Sequence, residues 1–478
     1  MNERIAARPG KGFSLALRFI CVFAAMHMLL CLLQVQFLPL EDSWNIVWLG
    51  TEIILALAAL GLALGFFIYA QVRATPSRED FHALFSELKT PGFALLFVWV
   101  VWAYIACLLA IREGRASFYH NVRYLFYQTA DMLVLFPLGL YFARRDDTAL
   151  LRRLFDICLL LTAARLAFAF VSFFGGRVRF TAFFGHEFDF TGSRVMFGEN
   201  SNQTGAYTAF FLAAGICRFP SIRKTAGRVL FAAAELIVFA AFVMAESRGA
   251  LIGLAVTIAV WAGAAAWHRS KKSPALSVLI ALVCAAAAAG VFLLAFYWLR
   301  GGLNALQRRI LQSAAASAPG DAPAAVGAAD AQLRDLLGAS ASNLGGRRKI
   351  WLAVVRNAFG DRHILLHGPT MANTSDWVAT FMHRAFRTHN QLLEVLAAQG
   401  LPALALFLAW LVWLAGKSLA LGLDRRCGTR WMLPLPLLTL IIHNMVEMML
   451  VGRTHIVGCF FFLIAGAVAG FAPAKEKK

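Results

Sequence analysis

The chain has 478 residues, of which 60% are hydrophobic and only 15% charged, and its formal net charge is +19. That balance excludes an ordinary soluble enzyme and describes a polytopic membrane protein. The apolar runs recur near the ~20 residues a helix needs to cross a hydrocarbon core, and they are too long and unbroken for barrel strands.

In chain order the runs predict spans at 13–33, 44–70, 92–111, 118–142, 151–173, 201–217, 229–246, 249–267, 276–299, 391–415, 432–450 and 454–472. The expected fold is all-α, about twelve transmembrane helices with one large outer loop. It divides into a nine-span bundle (1–299), a loop with amphipathic helices (300–390), and a three-span bundle with a tail (391–478). The positive charge follows topology, not nucleic acid. Short basic loops such as Arg144-Arg145, Arg152-Arg153, Arg223-Lys224 and Lys271-Lys272 alternate with the spans and put both termini on the cytoplasmic side. The first run lacks a small-residue cleavage site and reads as a retained span. Eight cysteines lie in spans or, for Cys427, in a cytoplasmic loop, so neither a disulfide framework nor a thiolate metal site is expected.

Charges inside the early spans are the informative exceptions. Glu52, Arg123, Asp131 and Arg165 should face a bundle interior or a hydrated cavity, since an ionised group at a helix centre costs roughly 2.5–3.5 kcal/mol. Arg123 either pairs with Asp131 on the same helix or contacts a ligand. Next comes a turn-rich outer segment ending in Gly198-Glu-Asn-Ser-Asn-Gln-Thr-Gly205. There Ser201, Asn202, Gln203 and Thr204 offer caps and amide donors at a helix start, suited to phosphate or sugar hydroxyls. The short turn Glu246-Ser-Arg-Gly249 puts Arg248 at the outer boundary, where its fork can hold an anion bidentately or pair with Glu246, while Gly249 leaves room for close approach.

The outer loop holds an Ala-rich tract from Ala314 to Ala341, then Gly345 to Phe359, where Ile350, Trp351, Val354, Val355 and Phe359 recur at helical spacing behind a basic start. This reads as an amphipathic helix lying on the membrane. The outer face thus gathers Arg177, Arg179, Arg194, Arg248, Arg308, Arg309, Arg347, Arg348, Lys349, Arg384, Arg387 and Arg453. Topology signals do not call for that excess, whereas binding phosphate or pyrophosphate would.

In Arg384 to Pro402, ionisable residues run straight into an apolar helix. Thr388 and Gln391 fit a capping box, which would put His389 in the first helical turn, where a neutral imidazole able to accept a hydroxyl proton is favoured. The alternative is an interfacial histidine that only helps cap the helix.

Glu246-Ser-Arg-Gly-Ala-Leu-Ile-Gly, then Gly346-Arg-Arg-Lys-Ile-Trp, then Thr388-His-Asn-Gln-Leu-Leu-Glu with Gln399-Gly-Leu-Pro, together resemble the O-antigen ligase and polymerase superfamily. Asn200-Ser-Asn-Gln-Thr-Gly-Ala-Tyr is similar to a fourth feature of it. The resemblance implies an inner-membrane glycosyltransferase of the GT-C type, acting at the periplasmic face without cofactor. Its donor would be an undecaprenyl pyrophosphate-linked O-antigen and its acceptor the lipid A core oligosaccharide. The single large loop resembles the ligase; the polymerase is the near alternative, and a protein O-oligosaccharyltransferase would call for an additional C-terminal domain. On this reading His389 is the base and Arg248 the charge stabiliser, with Arg347, Arg348, Arg123, Arg194, Asn202, Gln203 and Asn390 binding substrate. No Asp/Glu cluster of ligand spacing stands in the outer segments, so no metal requirement is expected. A transporter of lipid-linked sugars would share the spans and the outer arginines, but the chain shows no internal repeat.

Overall fold

The computed structural model describes residues 11–36, 88–145, 149–182, 186–192, 194–198, 200–270, 273–317, 342–382, 387–424, 427–451 and 455–471. The predicted span 44–70 with Glu52, as well as Arg384 and Arg453, lies outside the described residues.

The helices are α1 (Lys11–Gln36), α2 (Pro91–Arg112), α3 (Phe118–Ala130), α4 (Phe136–Arg144), α5 (Ala149–Phe174), α6 (Ser201–Arg218), α7 (Thr225–Ala245), α8 (Arg248–Arg269), α9 (Pro274–Ser317), α10 (Ser342–Gly360), α11 (Arg362–Leu366), α12 (Thr374–Met382), α13 (Gln391–Leu423), α14 (Pro434–Asn444) and α15 (Ile456–Phe471). A π-helical turn, Asp131–Leu135, joins α3 to α4. Among the described residues, seven helical segments are long and apolar enough to cross a membrane, against about twelve expected. Of the remaining predicted spans, 44–70 lies outside the described residues, 432–450 stops being helical after Asn444, and Ile20–Leu29 and Ile456–Phe471 are shorter apolar helices. The run 276–299 is among the seven and continues unbroken to Ser317.

The fold is not wholly α. Residues read as turns form an antiparallel three-stranded sheet, β1 (Arg179–Ala182), β2 (His186–Asp189) and β3 (Met196–Phe197), with Phe180 opposite Phe188 and Phe188 opposite Phe197. Buried Arg165 anchors it, donating to the carbonyl of Phe197 and, at 3.4 Å, to the Tyr207 hydroxyl. Asp131 lies 3.5 Å from His27, and the Arg123 guanidinium sits over the Tyr127 ring, 5.9 Å from its centroid. The expected pairing of Arg123 with Asp131 is thus replaced by partners on α1 and α3.

One apolar core runs from Ala24 on α1 to Ala469 on α15. Its tightest seam joins α4 to α15. A Cβ at Gly139 would strike the Leu463 carbonyl, and one at Gly466 the Phe136 carbonyl, so small residues let the two backbones touch. The helix that leads away from His389 is bent: Gly400, with φ 78° and ψ −179°, interrupts α13 two residues before Pro402. The kink frees the Gln399 carbonyl, which takes the Trp102 indole at 2.9 Å, while the Gln399 amide oxygen takes Trp99 at 2.8 Å. Only glycine suits that backbone, and a Cβ would also collide with the Leu366 carbonyl. Gly400→Ala should destabilise the protein by about 2 kcal/mol or more. Thermal unfolding in detergent checks this against Gly416→Ala, where a Cβ meets open space and little change is expected.

The amphipathic reading of α10 needs amending. Ile350 and Val354 are buried against Val378 and Ala397, so that face packs on α12 and α13, while Leu352, Val355 and Phe359 stay exposed.

Candidate active site

Helix α13 starts two residues later than the capping-box reading requires. Asn390 is the N-cap, its side-chain oxygen accepting from the amides of Leu392 (2.9 Å) and Leu393 (3.1 Å). Thr388 instead donates to Glu394 at 2.8 Å, and buried Glu394 also takes Arg387 at 3.2 Å. Trp351 of α10 donates to the Thr388 carbonyl at 2.9 Å. His389 is therefore held just outside the helix in a left-handed conformation, φ 49°. Only a few per cent of non-glycine residues adopt this conformation, and it needs support on both sides.

His389 is paired with Glu447. The Glu447 Oε1 lies 3.1 Å from His389 Nδ1, and the carboxylate is 7% exposed against 30% for the imidazole. Glu447 belongs to the non-helical segment after α14, which several elements grip. Asn390 donates to the Met445 carbonyl (2.8 Å) and Arg347 to the Val446 carbonyl (2.6 Å). The Gln391 side chain receives the Leu450 amide (3.0 Å), and Asn444 receives that of Met449 (2.6 Å). On the carboxylate itself, Asn202 of α6 donates to Oε2 at 3.1 Å and Arg347 stands 3.8 Å from the same oxygen. Gly249 allows α8 to press against this segment, since a Cβ there would overlap Val446 and crowd the His443 ring. Of the two close approaches expected at Gly249, backbone or ligand, the structure shows the protein's own segment there.

Burial raises the Glu447 carboxyl, but the hydrogen bond and charge of His389, with His443 and Arg347 behind them, outweigh it and hold the group below the usual carboxylate range. Glu447 is thus an anion that accepts a hydrogen from Nδ1. That bond fixes the tautomer with a lone pair on Nε2, the nitrogen free to take a proton from a hydroxyl.

Cations converge beside this pair. Arg248 begins α8 and is exposed. Arg194 is held nearby because the next residue, Val195, bonds the Met244 carbonyl at 3.1 Å. Burial, then repulsion from Arg248, and further from Arg347 and Arg300, lower the Arg194 pKa from its ordinary value. Glu246 caps α7 in the left-handed region and binds Arg300 at 2.7 Å; Arg248 contributes only charge at longer range, and burial, the larger influence, raises the carboxyl. Glu246 therefore takes Arg300 where Arg248 was one expected partner.

The structure joins His389, Arg347, Asn202 and Asn390 through Glu447 and its segment, and gathers Arg194 and Arg248 by charge. It separates Arg348, exposed on α10, from the contacts Arg347 makes with that segment. The amide of Gln203 is bound by the side chain of Asn200, which caps α6 in place of the residues expected. Sequence reading missed Glu447 and Arg300, although Glu447 is the only acidic residue in the apolar run 432–450 and so carried a signal. A cavity of about 270 Å³, lined by Arg152, Arg218, Arg430 and Phe460 among others, holds none of the predicted site residues.

No curated protein matches the chain. Residues 233–408, which hold Glu246, Arg248, Arg347, His389 and Glu394, match the family model described as O-Antigen ligase, so this segment of the chain is similar to that family.

Proposed function

We propose that the protein is a ligase in lipopolysaccharide biosynthesis. It moves O-antigen from undecaprenyl pyrophosphate to a hydroxyl of the lipid A core oligosaccharide, at the periplasmic face of the inner membrane. The observation that carries this reading is the His389–Glu447 pair set beside Arg194, Arg248 and Arg347.

In the proposed reaction Nε2 of His389 takes the acceptor hydroxyl proton as that oxygen attacks the anomeric carbon. The bond from that carbon to the pyrophosphate oxygen breaks, and attack opposite it inverts the centre. Glu447 stabilises the imidazolium until the proton passes to water. The leaving pyrophosphate is already ionised and calls for positive charge rather than an acid. Arg248 and Arg194 supply it, with Arg347 beside them on Glu447 and Val446. Arg348, Arg123 and Gln203 are candidates for contacts with the remainder of the two substrates, while Asn202 and Asn390 act by positioning Glu447 and His389.

The test is to mix purified protein with carrier-linked glycan and lipid A core, without nucleotide. Glycan joined to the core supports the ligase. Lengthened carrier-linked glycan would instead assign a polymerase, and movement across a vesicle without new bonds a transporter.

Arg248→Lys separates a bidentate phosphate contact from a mere positive charge. It should lower kcat about 10²-fold, like the loss of one oriented donor to a developing anion. A topology signal would be served as well by lysine, because an exposed point charge contributes at most about 1 kcal/mol. Near-normal kcat at matched expression would move Arg248 out of the site.

A further inference from the structure

A second cluster of ionisable groups lies where the loop after α2 meets the turn after α10. Asp361 starts α11 by accepting the amide of His363 at 2.9 Å, and its other oxygen takes Arg115 at 3.0 Å. His363 and His367 are four residues apart, which puts both rings on one side of the turn. Both reach the same atom: Oε1 of Glu113 is 2.7 Å from His363 Nδ1 and 3.1 Å from His367 Nε2.

The buried ring decides what belongs between them. His367 Nδ1 is 2.9 Å from the Gly368 carbonyl, which can only accept, so Nδ1 carries the hydrogen. In a neutral imidazole Nε2 is then a lone pair aimed at a carboxylate oxygen, one acceptor facing another. A cation between them, or a proton on Nε2, resolves the clash. A proton on His367, with neutral His363 donating from Nδ1, is the metal-free arrangement, in which the protein takes up no zinc. A single metal ion satisfies all three groups at once.

The chemistry of the donors fits a borderline divalent transition ion. Two imidazole nitrogens and one carboxylate oxygen are zinc ligands with bonds of about 2.0–2.2 Å, and the three donor atoms lie within 4.8 Å of one another. The hydrogen bond from His367 Nδ1 to a backbone carbonyl is the outer-shell contact that orients a metal-bound histidine. Arg115, 3.5 Å from Glu113 Oε2, occupies the other carboxylate oxygen and leaves Oε1 to the ion. His363 is half exposed and Glu113 a quarter exposed, so an ion can enter from solvent and keep water at its fourth position.

We propose that Glu113, His363 and His367 form a zinc-type metal site that clasps the end of α2 to α11. Its role is structural and independent of the transfer reading. Ile364 of α11 packs with Ala358 and Leu396, so the clasp braces the half of α13 that leads from His389 to the kink at Gly400.

The test uses full-length, tag-free protein in detergent, stripped with chelator and then titrated with zinc chloride alone. Bound metal is counted after gel filtration, thermal unfolding is recorded with and without zinc, and cobalt(II) serves as a visible-absorption probe. About one tightly held equivalent, a zinc-dependent rise in Tm and an intense low-coordinate cobalt band are expected for the natural sequence. All three should be lost in His363→Ala and Glu113→Gln, whose side chains are exposed enough for the fold to survive; His367→Ala is the buried companion. If the natural protein takes up no zinc, or if His363→Ala and Glu113→Gln hold as much as it does with the same gain in Tm, the site does not exist.

Discussion

His389→Ala should lower transfer to the core acceptor by roughly 10⁴-fold, the upper end of what a positioned general base contributes. The reacting hydroxyl is a poor nucleophile until it loses its proton, and His389 Nε2 is the acceptor that its bond to Glu447 leaves free. His389 has φ 49°, a conformation that histidine enters more readily than alanine, so the alanine variant loses some backbone preference in addition to the side chain. His389→Asn is therefore the companion variant, since asparagine tolerates that conformation and can still accept a hydrogen bond without serving as a base of similar strength. Both variants should insert in the membrane, elute as the natural protein does in detergent and bind carrier-linked glycan. Single-turnover assays with saturating donor measure the chemical step directly. Substantial turnover in both would remove His389 as the base.

How much of this was legible in the sequence depends on whether the determinant was local. The membrane class, most spans and the candidate stretch around His389 follow from hydropathy and from polar residues in unusual places, which need no partner to be recognised. The cap of α13 was misread by two residues. Thr388 and Gln391 satisfy the capping-box spacing, but buried Glu394 takes the Thr388 hydroxyl, leaving Asn390 to cap. A tertiary contact overrode a local rule. Phe180, Phe188 and Phe197 form a sheet from short turn-rich runs because stacked aromatics and Arg165 supply what strand propensity alone does not. The Glu113, His363 and His367 cluster was invisible because its donors come from two segments about 250 residues apart.

Glu447 is the most instructive omission, for it lies beyond residues 233–408, the part of the chain that matches the family model. The matched segment brings Arg248, Arg347 and His389, while Asn202 enters from before it and Glu447 from after it. In a linear reading Glu447 was one acidic residue near the end of a presumed span. The break in helix after Asn444 is what turns it toward the site. The unwound residues are secured from α10, α13 and its cap, and α14, so one freed backbone group of each of Met445, Val446, Met449 and Leu450 finds a partner. A segment so restrained presents its carboxylate in one place, the preorganisation that a catalytic pair requires.

Glu447→Gln tests that pair directly. The variant keeps shape and hydrogen-bonding capacity, and its amide oxygen can still receive Asn202. Its amide hydrogens would then face His389 Nδ1, which would have to accept, moving the ring hydrogen to Nε2. The imidazole would offer a donor to the acceptor sugar where a proton acceptor is needed, and no anion would stabilise the imidazolium. By analogy with amide replacement in other carboxylate–histidine pairs, kcat should fall about 10³-fold. KM for the carrier-linked glycan should change little, because Arg194 and Arg248 are untouched. Adding His389→Asn should cost only about a further tenfold, down to the level of the His389 variants and far short of the product of the two losses, since two groups acting as one unit are not additive. A merely structural Glu447, a counter-ion for Arg347, gives the opposite pattern: a lower Tm, normal kcat in the surviving folded fraction, and a multiplicative loss in the double variant. That pattern would reduce the His389–Glu447 contact to packing and leave the base without the group that orients it.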